Sequence, residues 1–291
     1  MVKQRRRGLP CSIAGYYGNC SNPASSSNAD RSPILSSCLR KMSPPIPRIA
    51  LLACKVFERE IALHAAGASH IAETRLFEVG LHDRPDQLRE TLQEALDAFD
   101  ARDDIDAVVL AYGLCGCGTA GLQPRRHKFV IPRAHDCIAL FMGSKDAYAQ
   151  QQRNCPTCYY YTPGWNRERR VPGPDRLESL RADLSRQFDE DNVDFLLETE
   201  REQWATHDTV FYIDLATDDA DSEADYAHRC ADWLGWKFER MRGDPTLMRD
   251  LLWGNWDDAR FQIIQPGSRL GNSADDAIMR AEPAHEAEAA S

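Results

Sequence analysis

Three cysteines sit where apolar runs give out. Cys54 directly follows the run at 49–53, Cys115 lies in the loop after 105–111, and Cys137 comes six residues after 129–131. Short apolar runs bounded by turn signals read as strands covered on both faces. In open α/β sheets, ligands bind outside the carboxyl ends of the strands, so cysteines far apart in sequence can meet there. Thiolates are soft ligands, suited to zinc or to a [4Fe–4S] cluster. The competing reading makes Cys54 and Cys137 small buried core residues, a common fate of free cysteine.

The loop that carries Cys115 is rich in glycine, with Gly113, Gly116, Gly118 and Gly121. Glycines permit positive φ and a close backbone approach to a ligand, or simply a tight strand–helix turn. The order Gly-Leu-Cys-Gly-Cys-Gly is neither a dinucleotide fingerprint nor a P-loop. Residues 132–137, Pro-Arg-Ala-His-Asp-Cys, form the densest polar knot. His135 is a candidate ligand, general base or donor to a metal-bound thiolate. Arg133 is a candidate anchor for a carboxylate or phosphate, or a partner for a structural Asp. Asp136 suits the N-cap of a following helix, whose N–H groups are expected to lower the pKa of Cys137. Cys155-Pro-Thr-Cys158 is a CxxC in a long loop, open to a ligand, redox or incidental role. Four aromatics crowd the seven positions 159–165, ending at Trp165, and either roof a pocket or tie the loop down. No Gly-x-Ser-x-Gly elbow of a hydrolase occurs.

The elements that must position these residues follow from periodicity. Strands are expected at 49–53, 71–79, 105–111, 129–131, 209–214, 236–241 and 261–264. Helices are expected at 56–66, from a cap at Asp86 to Phe99, and at 136–150, 177–188, 193–204, 224–234 and 245–252. The prolines at 156, 163, 172 and 174 make 151–174 read as a loop. Strands alternating with helices at this spacing predict an α/β fold, a three-layer sandwich with a mostly parallel β-sheet.

The 291 residues carry a formal charge of -10, unevenly spread. Residues 1–48 hold eight basic residues and one acidic, with nine Ser and six Pro, and 1–47 read as a disordered extension or one upstream of a true start at Met42. The body therefore runs from 48 to 270, and 271–291, rich in Ala and Glu, reads as a disordered acidic tail. The acidic body argues against nucleic acid as a partner. No apolar run approaches a membrane span, and no signal-type h-region follows the basic start, so the expected compartment is the cytoplasm.

Several motifs, in order, resemble an uncharacterised prokaryotic family, domain of unknown function 1638. They are Ala53-Cys54, Tyr112-Gly-Leu-Cys-Gly-x-Gly118, Ile131-Pro-Arg-x-His-Asp-Cys137, Gly143-Ser144, 160–165, Gly243-Asp244, the 251–257 segment and Pro266-Gly267. The resemblance spans about 48–270. It implies a soluble α/β protein, often encoded near corrinoid-dependent methyl-transfer systems, whose characteristic cysteines match Cys54, Cys115 and Cys137, with His135 beside the last. Cys117, Cys155 and Cys158 depart from the family pattern. Two expectations follow. One is a metal-binding protein with zinc or a [4Fe–4S] cluster on Cys54, Cys115, Cys137 and His135, and with Arg133, Gly116, Gly118 and Trp165 at the ligand. The other is a non-enzymatic accessory protein binding a methyl-transfer or corrinoid partner. Arg133 and His135 are expected to face the same pocket as the cysteines, and Cys155 and Cys158 to lie away from it.

Overall fold

The segment IALLAC is hydrophobic throughout and forms β1 (Ile49–Cys54), with Ile49, Leu51 and Ala53 in one buried cluster and Ala50 and Leu52 in another. Covering both faces is what such a run requires. The computed structural model describes residues 45–284, so the expectations for residues 1–44, Met42 included, and for 285–291 lie outside the described residues.

A 3-10 turn at Lys55–Phe57 leads into α1 (Glu58–His64), then β2 (Ile71–Phe77) and α2 (Pro85–Asp100). Pro85 opens α2, where its missing N–H costs nothing, and Arg84 rather than Asp86 is the cap. Next come β3 (Ala107–Ala111), β4 (Phe129–Pro132), α3 (Cys137–Phe141) and α4 (Lys145–Asn154). The single helix expected over 136–150 is broken because Gly143 takes φ 79° and the Ser144 side chain caps a new helix.

The expected loop at 151–174 contains β5 (Cys158–Tyr161) and α5 (Pro163–Arg167). The flanking prolines lie outside β5, so they delimit the strand rather than break it. The chain continues through α6 (Pro174–Leu184), α7 (Glu190–Trp204), β6 (Thr209–Asp214), α8 (Ala220–Leu234), β7 (Lys237–Arg242), α9 (Thr246–Leu252) and β8 (Phe261–Ile264). It closes with β9 (Ser268–Asn272) and β10 (Met279–Pro283), an antiparallel pair. That pair corrects the acidic tail expected from 271. Leu270, Ile278 and Met279 are buried against the core, a contribution that averaging over an Ala- and Glu-rich stretch conceals.

The fold is a mixed α/β domain whose strands divide among three sheets instead of joining one. The first has five strands in the order β2-β1-β3-β4-β8, parallel except for β8; the second is β5-β6-β7, all parallel; the third is the closing hairpin. On one face of the five-stranded sheet, α2 packs Leu88, Leu92, Leu96 and Phe99. The other face meets α1, α3 and α9 in a cluster that also takes in Tyr160, Phe211 and Ile213, so one core joins the larger sheets. The chain leaves β1 for β2 on one side and reaches β3 on the other. This reversal is a topological switch point, and the crevice at the carboxyl ends of β1 and β3 is where such sheets bind ligands.

Candidate functional site

Cys54 closes β1 at that crevice. Beyond β3, the Leu114 and Cys115 N–H groups donate to the carbonyls of Ala134 and His135, both at 2.9 Å, which ties the two strand-end loops together. Gly113 makes this possible, because a Cβ there would lie 2.8 Å from both Ala134 O and Asp136 N. Cys115, Gly116 and Cys117 all take positive φ, at 47°, 63° and 67°. Asp136 caps α3, accepting from Ile138 N at 2.9 Å and from the Tyr148 hydroxyl at 3.0 Å. Cys137 opens that helix and accepts from Trp165 Nε1 at 3.2 Å.

Cys54, Cys115, Gly116, Asp136, Cys137 and Trp165 line a cleft of about 790 Å³. Its floor contains Cys54, Tyr112, Cys115, Gly116 and Cys137, and Trp165 of α5 stands over Cys137. The facing wall includes Tyr159 and Tyr160 of β5, Arg176 of α6, and Glu200 and Trp204 of α7. A third side is the turn Gly80–Asp83, held by Arg170, which donates to Val79 O at 3.1 Å and to Asp83 at 2.9 Å. His82 of this turn meets the Trp165 ring edge-on at 5.4 Å.

Burial leaves the floor uncharged. It pushes the Cys54 thiol up to about 11 and Cys115 up to about 12, and it raises Cys137 well above the usual thiol range with help from Asp136. Burial also raises the Tyr112 and Tyr160 phenols, the latter to about 12. The expected lowering of Cys137 is thus reversed, because desolvation outweighs a helix turn only five residues long. Thiols held protonated are weak nucleophiles, since the thiolate is the reactive form.

The expected zinc or [4Fe–4S] site is corrected. Among the described residues, no group of three or more His, Cys, Asp or Glu side chains is arranged to hold a metal ion. Cys54, Cys115 and Cys137 do share the cleft, but His135 does not line it: its ring is exposed, and only its carbonyl takes part, through Cys115. The donor set expected from the sequence therefore lacks its fourth member, His135.

Arg133 also lies elsewhere. Its Nε donates to Asp258 O at 2.8 Å, and its Nη1 to Ala277 O and Met279 O at 2.9 and 2.6 Å, which ties the closing hairpin down. Replacing it with Lys keeps the charge but loses the fork, so a loss of about 1–2 kcal/mol in stability is expected. Amide hydrogen exchange should quicken through 268–283. Unchanged exchange there would mean that the hairpin does not depend on this side chain.

Gly118 is a packing glycine, since a Cβ there would lie 2.7 Å from the Leu88 side chain. Cys155 and Cys158 form a disulfide, and Cys158 lines the cleft instead of lying apart from it. Sequence reasoning missed His82, Arg170 and Arg176, for which no local motif signals a shared wall.

The geometry defines an α/β protein with a thiol- and tyrosine-lined cleft at a sheet switch point. Residues 76–252 match the family described as Protein of unknown function (DUF1638), and the chain belongs to that family. The matched span includes Cys115, Cys137 and Trp165, whereas Cys54 lies upstream of it. No curated protein and no solved structure matches the chain. Among the described residues, no helix is long and apolar enough to cross a membrane.

Proposed function

We propose that this chain binds a small organic molecule in the cleft at the carboxyl ends of β1 and β3. The observation that carries the reading is a pair of cleft-lining tyrosines, Tyr112 and Tyr160, only 4% and 9% exposed, whose buried hydroxyls have no hydrogen-bond partner. An unsatisfied buried polar group costs about 1–3 kcal/mol, and a ligand that draws these hydroxyls out toward the cleft and pairs with them removes that cost. The volume, the aromatic walls and the few convergent polar groups all suit a ligand pocket. In this reading, the helices on either face of the five-stranded sheet make a three-layer sandwich with the cleft at its open end.

Tyr112→Phe and Tyr160→Phe test the reading. Each variant should weaken binding of the best hit from a small-molecule panel by roughly 5–10-fold. Neither should lower thermal stability, since each removes an unpaired group. If no member of a chemically broad panel shifts the melting temperature or binds by calorimetry, the reading fails. The family resemblance adds a proposed partner, a methyl-transfer or corrinoid protein, which is tested by co-purification with tagged chain from its native host.

A further inference from the structure

We infer that the cleft selects a small organic cation, an ammonium or a cationic nitrogen heterocycle, over neutral and anionic molecules of the same shape. The inference rests on the ligand-binding reading and adds the charge of the ligand to it.

The sign comes from the charged groups on the walls. The carboxylates of Glu78, Asp83, Asp136 and Glu200 line the cleft, against only two guanidinium groups. Both cations are already engaged: Arg170 with Asp83 at 2.9 Å and Arg176 with Glu200 at 2.8 Å. Neither Glu78 nor Asp136 pairs with a guanidinium. The partners of Asp136 are a peptide N–H and a phenol, neither of which carries a positive charge. Glu78 has Lys55 at 3.7 Å across an exposed surface, and no lysine lines the cleft. Besides the imidazoles of His82 and His207, an anion entering here would meet surplus negative charge and no free guanidinium or ammonium, whereas a cation would meet carboxylates.

The walls point the same way. Trp165, Trp204, Tyr159 and Tyr160 present aromatic surfaces to the cleft, and ring faces attract a cation held against them. The floor does not oppose it, because its thiols and phenols are neutral donors and acceptors. A primary to tertiary ammonium can in addition donate its N–H to the unpaired hydroxyls of Tyr112 and Tyr160 once they turn toward the cleft, a bond that quaternary choline does not make. Outside the cleft, the chain's net charge of -10 draws cations toward it at low salt.

Three probes of one shape test this on the full chain: choline, its neutral carbon isostere 3,3-dimethyl-1-butanol, and 3,3-dimethylbutyrate. Titration by saturation-transfer NMR at low ionic strength reads weak affinities. Choline should bind roughly tenfold tighter than the alcohol, and the carboxylate weakest. Added salt should weaken choline binding alone. Asp136→Asn preserves an oxygen for the helix cap and should cut choline affinity roughly fivefold without changing that of the alcohol. Glu78→Gln, at an exposed position, supplies the same comparison should the first variant fold poorly. Equal or better binding of the alcohol or the carboxylate overturns the inference, as does binding of none of the three. A broad panel that still yields neutral or anionic ligands leaves the ligand-binding reading standing, and a panel that yields nothing removes both.

Discussion

Gly164→Ala is expected to lower the stability of the fold by about 3 kcal/mol. A Cβ at Gly164 would lie 2.0 Å from the Val56 carbonyl oxygen and 2.9 Å from its carbon. Both are backbone atoms of the turn that follows β1, so no side-chain rotation relieves the clash. The chain must instead separate α5 from residues 55–57. That separation carries Trp165 away from Cys137 and opens the wall on which the cleft depends. Urea unfolding should show a lower midpoint, and cleft binding should weaken in parallel. A variant as stable as the parent, with binding intact, would mean that α5 does not rest on this turn.

Glu60→Gln is expected to move stability in the opposite direction, and only at the higher end of the pH range. Glu60 on α1 is 3% exposed, and neither of its carboxyl oxygens has a hydrogen-bond partner. Burial raises its pKa to about 7 and Asp219 adds to the rise, while the nearby backbone N–H of Glu60 itself, Arg167 and Arg59 oppose it. In the unfolded chain the group titrates near the ordinary carboxylate value. Between about pH 4.5 and 7 the folded state therefore binds the extra proton, and stability falls as pH rises through that window. The full loss is about 3 kcal/mol once the group is ionised.

Gln cannot ionise, so the variant should be more stable than the parent at pH 8 by about 2–3 kcal/mol and no more stable at pH 5. The difference between the two urea-denaturation curves isolates Glu60 from other groups. His64, whose pKa is lowered by burial, contributes with the opposite slope, but it contributes to both proteins. A difference that does not change between pH 5 and 8 would show that the carboxylate finds a partner in solution.

The runs at 49–53, 105–111 and 129–131 were legible in the sequence as strands buried on both faces. Their burial depends on a local feature, continuous apolar character ended by a turn, and the residue that follows each strand is fixed by chain order. The placement of Cys54, Cys115 and Cys137 at strand ends follows from that, and so does Asp136 as a helix cap. The end of α8 was also legible, since the helix expected at 224–234 stops where Gly235 takes a left-handed φ. β5 was not legible, because a strand of four residues flanked by prolines has too short a period to count, and its pairing partner β6 begins 51 residues later.

Only the tertiary structure decided what surrounds each side chain. Arg133 lies one residue past a strand, yet its partners are carbonyls at 258, 277 and 279, more than a hundred residues away. His135 is two residues from Cys137, but in the bent link between β4 and α3 neighbouring side chains need not face one pocket, and its ring ends outside the cleft. The missing partners of the Tyr112 and Tyr160 hydroxyls, the protonated thiols and the surplus of carboxylates all depend on which distant walls close over the strand ends. Burial and pairing are sums over neighbours in space, and periodicity along the chain carries no record of them.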